Sequence, residues 1–142
     1  MKKIYRISDV SIVDFPFFTE SNGSLLVMEA GGVVPFEIAR VFLVKADAGA
    51  VRGNHAHHEC FQLLQCNNGS ISVTCNDGNE SIDYILDVSN QGLLIPPGIW
   101  ASQTYNDSNS ILVVLCDQPF SEADYIRDYD EYLQYRENIN EF

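Results

Sequence analysis

Arg52-Gly53-Asn54-His55-Ala56-His57-His58 carries all three histidines of the chain within four positions. In an extended strand, side chains two residues apart share a face, so His55 and His57 look into one space and His58 looks away. The sequence on either side of this stretch has the punctuation of an all-β protein. Arg40 to Lys45 is a strand candidate that ends before the turn at Asp47 to Gly49, and Cys60 to Cys66 runs apolar until Asn67-Asn68-Gly69. Ser70 to Cys75 alternates polar and apolar residues, with Ile71, Val73 and Cys75 on one face. Asn76-Asp77-Gly78-Asn79 is a hairpin turn, because these residues tolerate left-handed backbone angles. Ser81 to Leu86 resumes the alternation, bringing Ile82, Tyr84 and Leu86 together.

Further strands are predicted at Ser24 to Glu29, Gly92 to Ile95, Trp100 to Tyr105 and Ser110 to Cys116, with a Pro96-Pro97-Gly98 corner between the second and third of these. Short, evenly spaced strands with almost no helical intervals predict a closed barrel or a double-sheet sandwich. Beyond Pro119 the pattern changes. Ser121 as cap, with Tyr125, Ile126, Tyr129, Tyr132 and Leu133 at helical spacing, predicts one C-terminal helix over about 121–136 that packs its tyrosines on the barrel.

Composition limits what such a fold can do. The 142 residues suit one domain, expected to span 1–142, and an apolar content of 46% supplies an ordinary core. Eight Lys and Arg against twenty Asp and Glu give a net charge of −12, which repels nucleic acid at long range. A small phosphorylated ligand stays compatible, because one or two arginines can reverse the potential inside a pocket. Cys60, Cys66, Cys75 and Cys116 form no CxxC pair and read as buried thiols in a reducing compartment. The start, Met1-Lys2-Lys3-Ile4-Tyr5, is followed by Ser8, Asp9, Ser11 and Asp14, so neither a signal peptide nor a membrane span is expected, and the cytoplasm is the expected location.

The spacing around the histidines resembles the first motif of the cupins: Gly49, His55, His57, position 62 and Gly69 fall on that ruler. Pro96-Pro97-Gly98-Ile99-Trp100 is similar to the approach to the second motif. The resemblance implies a cupin jelly-roll, a double-sheet barrel. It also implies four metal ligands, two of which this chain replaces by Gln62 and Ala101. An amide stabilises a divalent cation far less than a carboxylate, and alanine provides no ligand, so no metal and no other cofactor is expected. Two imidazoles without a metal are free to move protons.

A narrower resemblance is carried by Arg40-Val41-Phe42, by 52–57, by Gly69-Ser70, Asp77-Gly78, Gly92 to Ile95 and Trp100, and by Ala123-Asp124-Tyr125-Ile126-Arg127-Asp128-Tyr129-Asp130. Together these are similar to the sugar 3,4-ketoisomerases. That likeness implies a dTDP-linked keto sugar, dTDP-4-keto-6-deoxyglucose, as substrate, transfer of its keto group from C4 to C3, and a homodimer. On this reading His55 is the base at C3 and His57 its partner, donating to the oxygen or to C4, while Arg52 or Arg40 holds the enediolate or the diphosphate. Gln62 contacts substrate or orients a histidine, and Trp100 and Tyr105 stack on the ligand at the pocket mouth. The chain departs from the family pattern at Phe42, where a tyrosine is common, at Ala101, where a histidine often follows the tryptophan, and at His58, often a lysine. The alternatives are a sugar-nucleotide 3,5-epimerase, a carbohydrate-binding cupin without turnover, and a metal-dependent oxygenase.

Overall fold

The structure, a computed structural model, describes residues 3–140, so Met1 and Lys2 of the basic start lie outside the described residues. Two antiparallel five-stranded sheets face each other. The first runs β1 (Ser11–Asp14), β9 (Gln91–Ile95), β6 (Gln62–Asn68), β11 (Ile111–Cys116) and β4 (Arg40–Lys45). The second runs β12 (Tyr125–Ile126), β5 (Val51–His57), β10 (Trp100–Tyr105), β7 (Ile71–Asn76) and β8 (Ser81–Leu86). A separate hairpin pairs β2 (Phe17–Glu20) with β3 (Gly23–Leu26). This is the expected jelly-roll architecture.

The alternation read from the sequence is what lets the sheets share a core. Ile71, Val73 and Cys75 of β7 are fully buried on one face, opposite Leu64, Leu112 and Val114 of the first sheet. Side chains on two facing sheets interdigitate in this way at the usual sandwich spacing. The outer face of the first sheet is also covered, because Leu63 and Leu115 pack under Phe15 and Val34. The predicted hairpin turn forms as read. Asp77 stabilises it by accepting N–H bonds from Asn79 (2.9 Å) and Glu80 (2.8 Å), and a third from Ile7 (2.8 Å) ties in the N-terminal segment.

The C-terminal helix is shorter and later than expected. α1 spans Tyr129–Asn140, and it is Asp128, not Ser121, that caps it, by accepting the Glu131 N–H at 3.0 Å. Residues 121–128 form a 3₁₀ turn at Glu122–Asp124 and then β12, which pairs Tyr125 with His57 and Ile126 with Ala56. Unpaired N–H and C=O groups along β5 offered a ladder, and pairing outweighed local helical periodicity. The helix buries Tyr132, whose hydroxyl sits 2.7 Å from the Gly98 carbonyl and 3.0 Å from that of Asn76. Among the described residues no helix is long and apolar enough to cross a membrane.

Candidate active site

Between the sheets lies a cavity of about 410 Å³, floored by Phe42, Leu64, Leu112 and Val114. Its polar wall is built mainly by β5. Gly53 (φ 86°) and Asn54 (φ 56°) adopt left-handed backbone angles, and the pairing with β10 slips by one residue there, from Ala101↔His55 to Ser102↔Gly53. This bulge aims Arg52, Asn54 and His55 together at the cavity. A Cβ on Gly53 would stand 2.7 Å from Gln103 Oε1 and 3.1 Å from the Ala101 carbonyl oxygen. Gly53→Ala is therefore expected to lower stability by about 2 kcal/mol and to reduce turnover by displacing His55. Urea unfolding checks the first effect, and an unchanged midpoint would show that the bulge is not under this constraint.

His55 and His57 share a side of the strand, with ring centroids 5.0 Å apart and planes at 87°. They are not equivalent. The cavity wall includes His55 but not His57, which stands behind it, 5% exposed. His57 Nδ1 donates to Asp124 Oδ2 at 2.9 Å, while Asp124 Oδ1 accepts the Glu59 N–H at 2.7 Å. That bond fixes the tautomer with the proton on Nδ1. Burial lowers the pKa of His57 despite the opposing pull of Asp124. His55, lowered first by burial and then by the neighbouring His57, falls to about 4. Both rings are neutral at pH 7, and a neutral imidazole can accept a proton.

β12 supplies what the sequence reading missed. The Tyr125 ring lies 5.1 Å from His55 and 4.4 Å from His57, and its hydroxyl accepts from Arg40 Nη2 at 3.4 Å. Arg127 lies 4.1 Å over the Tyr125 ring and is oriented by two bonds to Glu122, of 2.6 and 3.0 Å. Tyr125 and Arg127 both line the cavity. The signal was present, since Asp124-Tyr125-Ile126-Arg127 places Tyr125 and Arg127 two apart with an apolar residue between, a strand period.

The remaining expected residues divide. Arg52 and Gln62 line the cavity. Arg40 stands beside it, between Tyr125 and Cys116, with its guanidinium 5.3 Å from the Phe42 ring. Tyr105 is part of the lining but fully buried, a floor residue rather than one at the mouth. Trp100 is not at the cavity. It packs against Tyr129 (5.1 Å) and Tyr132 (5.4 Å) of α1. Trp100 and Tyr105 are an odd number of positions apart on β10, so only one of them can face inward. Ala101, where the cupin resemblance expects a third ligand, pairs with His55 across β10 and β5. Arg40, Arg52 and Arg127, three of the eight Lys and Arg in the chain, stand at or beside this cavity, with Arg127 paired to Glu122.

The chain matches the family described as FdtA: WxcM-like, C-terminal over residues 8–137. A TDP-4-oxo-6-deoxy-alpha-D-glucose-3,4-oxoisomerase of Aneurinibacillus thermoaerophilus is 35% identical over 130 residues, spanning 91% of this chain and 94% of that protein. Among solved structures, QdtA, a sugar 3,4-ketoisomerase from Thermoanaerobacterium thermosaccharolyticum in complex with TDP, superimposes with a TM-score of 0.89 at 30% identity, covering 94% of this chain and 98% of that one. A 3,4-ketoisomerase from Helicobacter canadensis gives a TM-score of 0.87 at 34% identity, with coverages of 91% and 98%.

Proposed function

The chain belongs to the FdtA, WxcM-like family of sugar-nucleotide 3,4-ketoisomerases, and from that premise we propose that it converts dTDP-4-keto-6-deoxyglucose to the 3-keto isomer with His55 as the base. The observation that carries the assignment is a neutral imidazole in the wall of a cavity whose volume suits a small ligand, packed against the Tyr125 ring that lines the same cavity. Removal of the C3 proton by His55 leaves an enediolate whose negative charge develops on the C4 oxygen. The Tyr125 hydroxyl, polarised by the Arg40 N–H, donates a proton to that oxygen. The Tyr125 oxygen then takes the proton of the C3 hydroxyl as the His55 imidazolium returns its proton to C4, so the keto group has moved, both side chains are restored and no atom has been gained or lost. Arg52 and Arg127 hold the enediolate or the diphosphate by charge-assisted bonds.

His57 acts in this scheme as a positioning residue, anchored by Asp124 and packed edge-on against His55, rather than as a proton donor to the sugar. No metal takes part. A homodimer belongs to the same reading, since β4 is an edge strand with Val41 and Leu43 exposed. So does a cytoplasmic location, which suits four free, buried thiols.

Incubation with dTDP-4-keto-6-deoxyglucose in heavy water, followed by NMR, tests the proposal. A 3-keto sugar is expected to appear with deuterium at C4, and recovered 4-keto substrate with deuterium at C3, through the shared enediol. An unchanged substrate spectrum would reject the activity, and exchange at C5 would favour the epimerase instead.

A further inference from the structure

Arg40, Cys116 and Gln62 stand side by side across three strands, since the register pairs Cys116 of β11 with Arg40 of β4 on one flank and with Gln62 of β6 on the other. Direct cross-strand neighbours share a face, so the three side chains form one row. Arg40 Nη2 and Gln62 Nε2 each donate to Cys116 Sγ at 3.6 Å, and the same Arg40 nitrogen donates to the Tyr125 hydroxyl at 3.4 Å. We propose that Cys116 is a positioning residue for the isomerisation, a buried counter-ion that holds Arg40 where it polarises Tyr125. The proposal rests on the role given to Tyr125 above.

The surroundings of Arg40 call for such a partner. Its guanidinium lies against the Phe42 and Phe120 rings, 5.3 and 5.5 Å from their centres. Its Nε is buried and unbonded, and among the described residues it has no carboxylate partner. A cation shielded by two rings loses hydration, which a negative group beside it offsets. Cys116, fully buried, is the group in place. Two N–H donors converging on one sulfur favour thiolate over thiol, because the thiolate only accepts.

The ionisation follows the same geometry. The adjacent Cys60 thiol, then Arg40 and Gln62, bring Cys116 down to about 6 against the opposing effect of burial. Cys60 is pushed upward, first by Cys116 and then by burial, so of the two sulfurs Cys116 carries the charge. The other titratable groups nearby are Tyr125 on β12, Asp117 beside Cys60, and His57 and Asp124 beyond it. Below about pH 6 the thiolate takes up a proton and its hold on Arg40 weakens. His55 titrates lower, near 4, so the two steps separate.

Steady-state kinetics across pH, with circular dichroism to confirm folding, tests the role. Cys116→Ala is expected to lower kcat about tenfold with KM unchanged, and Cys116→Ser, which still accepts a hydrogen bond but stays neutral, about threefold. Both should lose the step near pH 6 in the kcat profile, which the parent and Cys75→Ala keep. The ultraviolet absorbance of the thiolate, taken as parent minus Cys116→Ser, should rise with its midpoint near pH 6. On a Tyr125→Phe background, Cys116→Ala should cost nothing more, because Arg40 then has no hydroxyl to polarise. Should Cys116→Ala fail to fold, Cys116→Ser carries the comparison. If Tyr125→Phe loses activity while the Cys116 variants keep the parental kcat and profile, the positioning role is overturned and Tyr125 stands. If Tyr125→Phe keeps the parental kcat, both readings fall. A sulfur that titrates in the ordinary thiol range overturns the counter-ion.

Discussion

His55→Asn is expected to lower kcat by about a thousandfold while KM moves by no more than a few fold. Asparagine keeps much of the ring's shape and polarity but cannot take up a proton near neutral pH, so it removes the base without emptying the wall. General-base catalysis is worth roughly 10²–10⁴ in rate. The expected loss falls there because His55 is the one imidazole lining the cavity among the described residues. Steady-state kinetics on dTDP-4-keto-6-deoxyglucose, with circular dichroism to show that the fold is kept, measures it. A variant retaining a tenth of the parent kcat would take the base role from His55. A change confined to affinity would favour a binding protein without turnover. His57→Asn is expected to cost less, about tenfold. It should also shift the acid limb of the rate profile upward, since His57 is one of the two groups that depress His55.

Acid stability gives the second large effect. His55 titrates near 4 in the fold and at 6.5 when unfolded. Between those values the unfolded chain binds a proton that the folded chain refuses, so unfolding gains ground as the pH falls. The stability contributed by the neutral ring is fully present above about pH 6.5 and is lost progressively down to about pH 4. Over that interval the linkage amounts to about 3 kcal/mol, at about 1.4 kcal/mol per pKa unit. His57 is shifted in the same direction and adds to the loss. Asp117, raised by burial, works the other way, because it is protonated in the fold before it is in the unfolded chain. The comparison is therefore parent against His55→Asn. Urea unfolding at intervals from pH 7 to pH 4 should show the parent losing about 3 kcal/mol more than the variant. Parallel curves would mean that His55 is not held neutral by burial.

Much of the sheet structure was legible because strand signals are local. The predicted limits of Arg40 to Lys45, Ser81 to Leu86 and Trp100 to Tyr105 coincide with β4, β8 and β10. The buried face of β7 is the set picked out by alternation. The convergence of His55 and His57 was likewise readable, since two positions on one strand need no knowledge of any other strand. Ser24 to Glu29 was too generous, because β3 spans only Gly23–Leu26, and β1 and β2 went unread. Those strands owe their form to partners far along the chain, as when β1 pairs with β9.

The site divides along the same line. Sequence alone determined that this acidic chain is a β-barrel or sandwich with two imidazoles on one face, because face and composition are properties of neighbouring residues, and the cupin resemblance added the expectation that Gln62 and Ala101 replace two ligands. Tertiary structure decided which imidazole meets the cavity, that Trp100 turns to the helix while Tyr105 turns inward, and that 121–128 joins β5 instead of helix α1. Each of those outcomes depends on contacts between distant residues, such as Asp124 with His57, 67 positions apart. A pairing across that distance forms only when the sheet edge is already in place, and no periodicity within either segment encodes it.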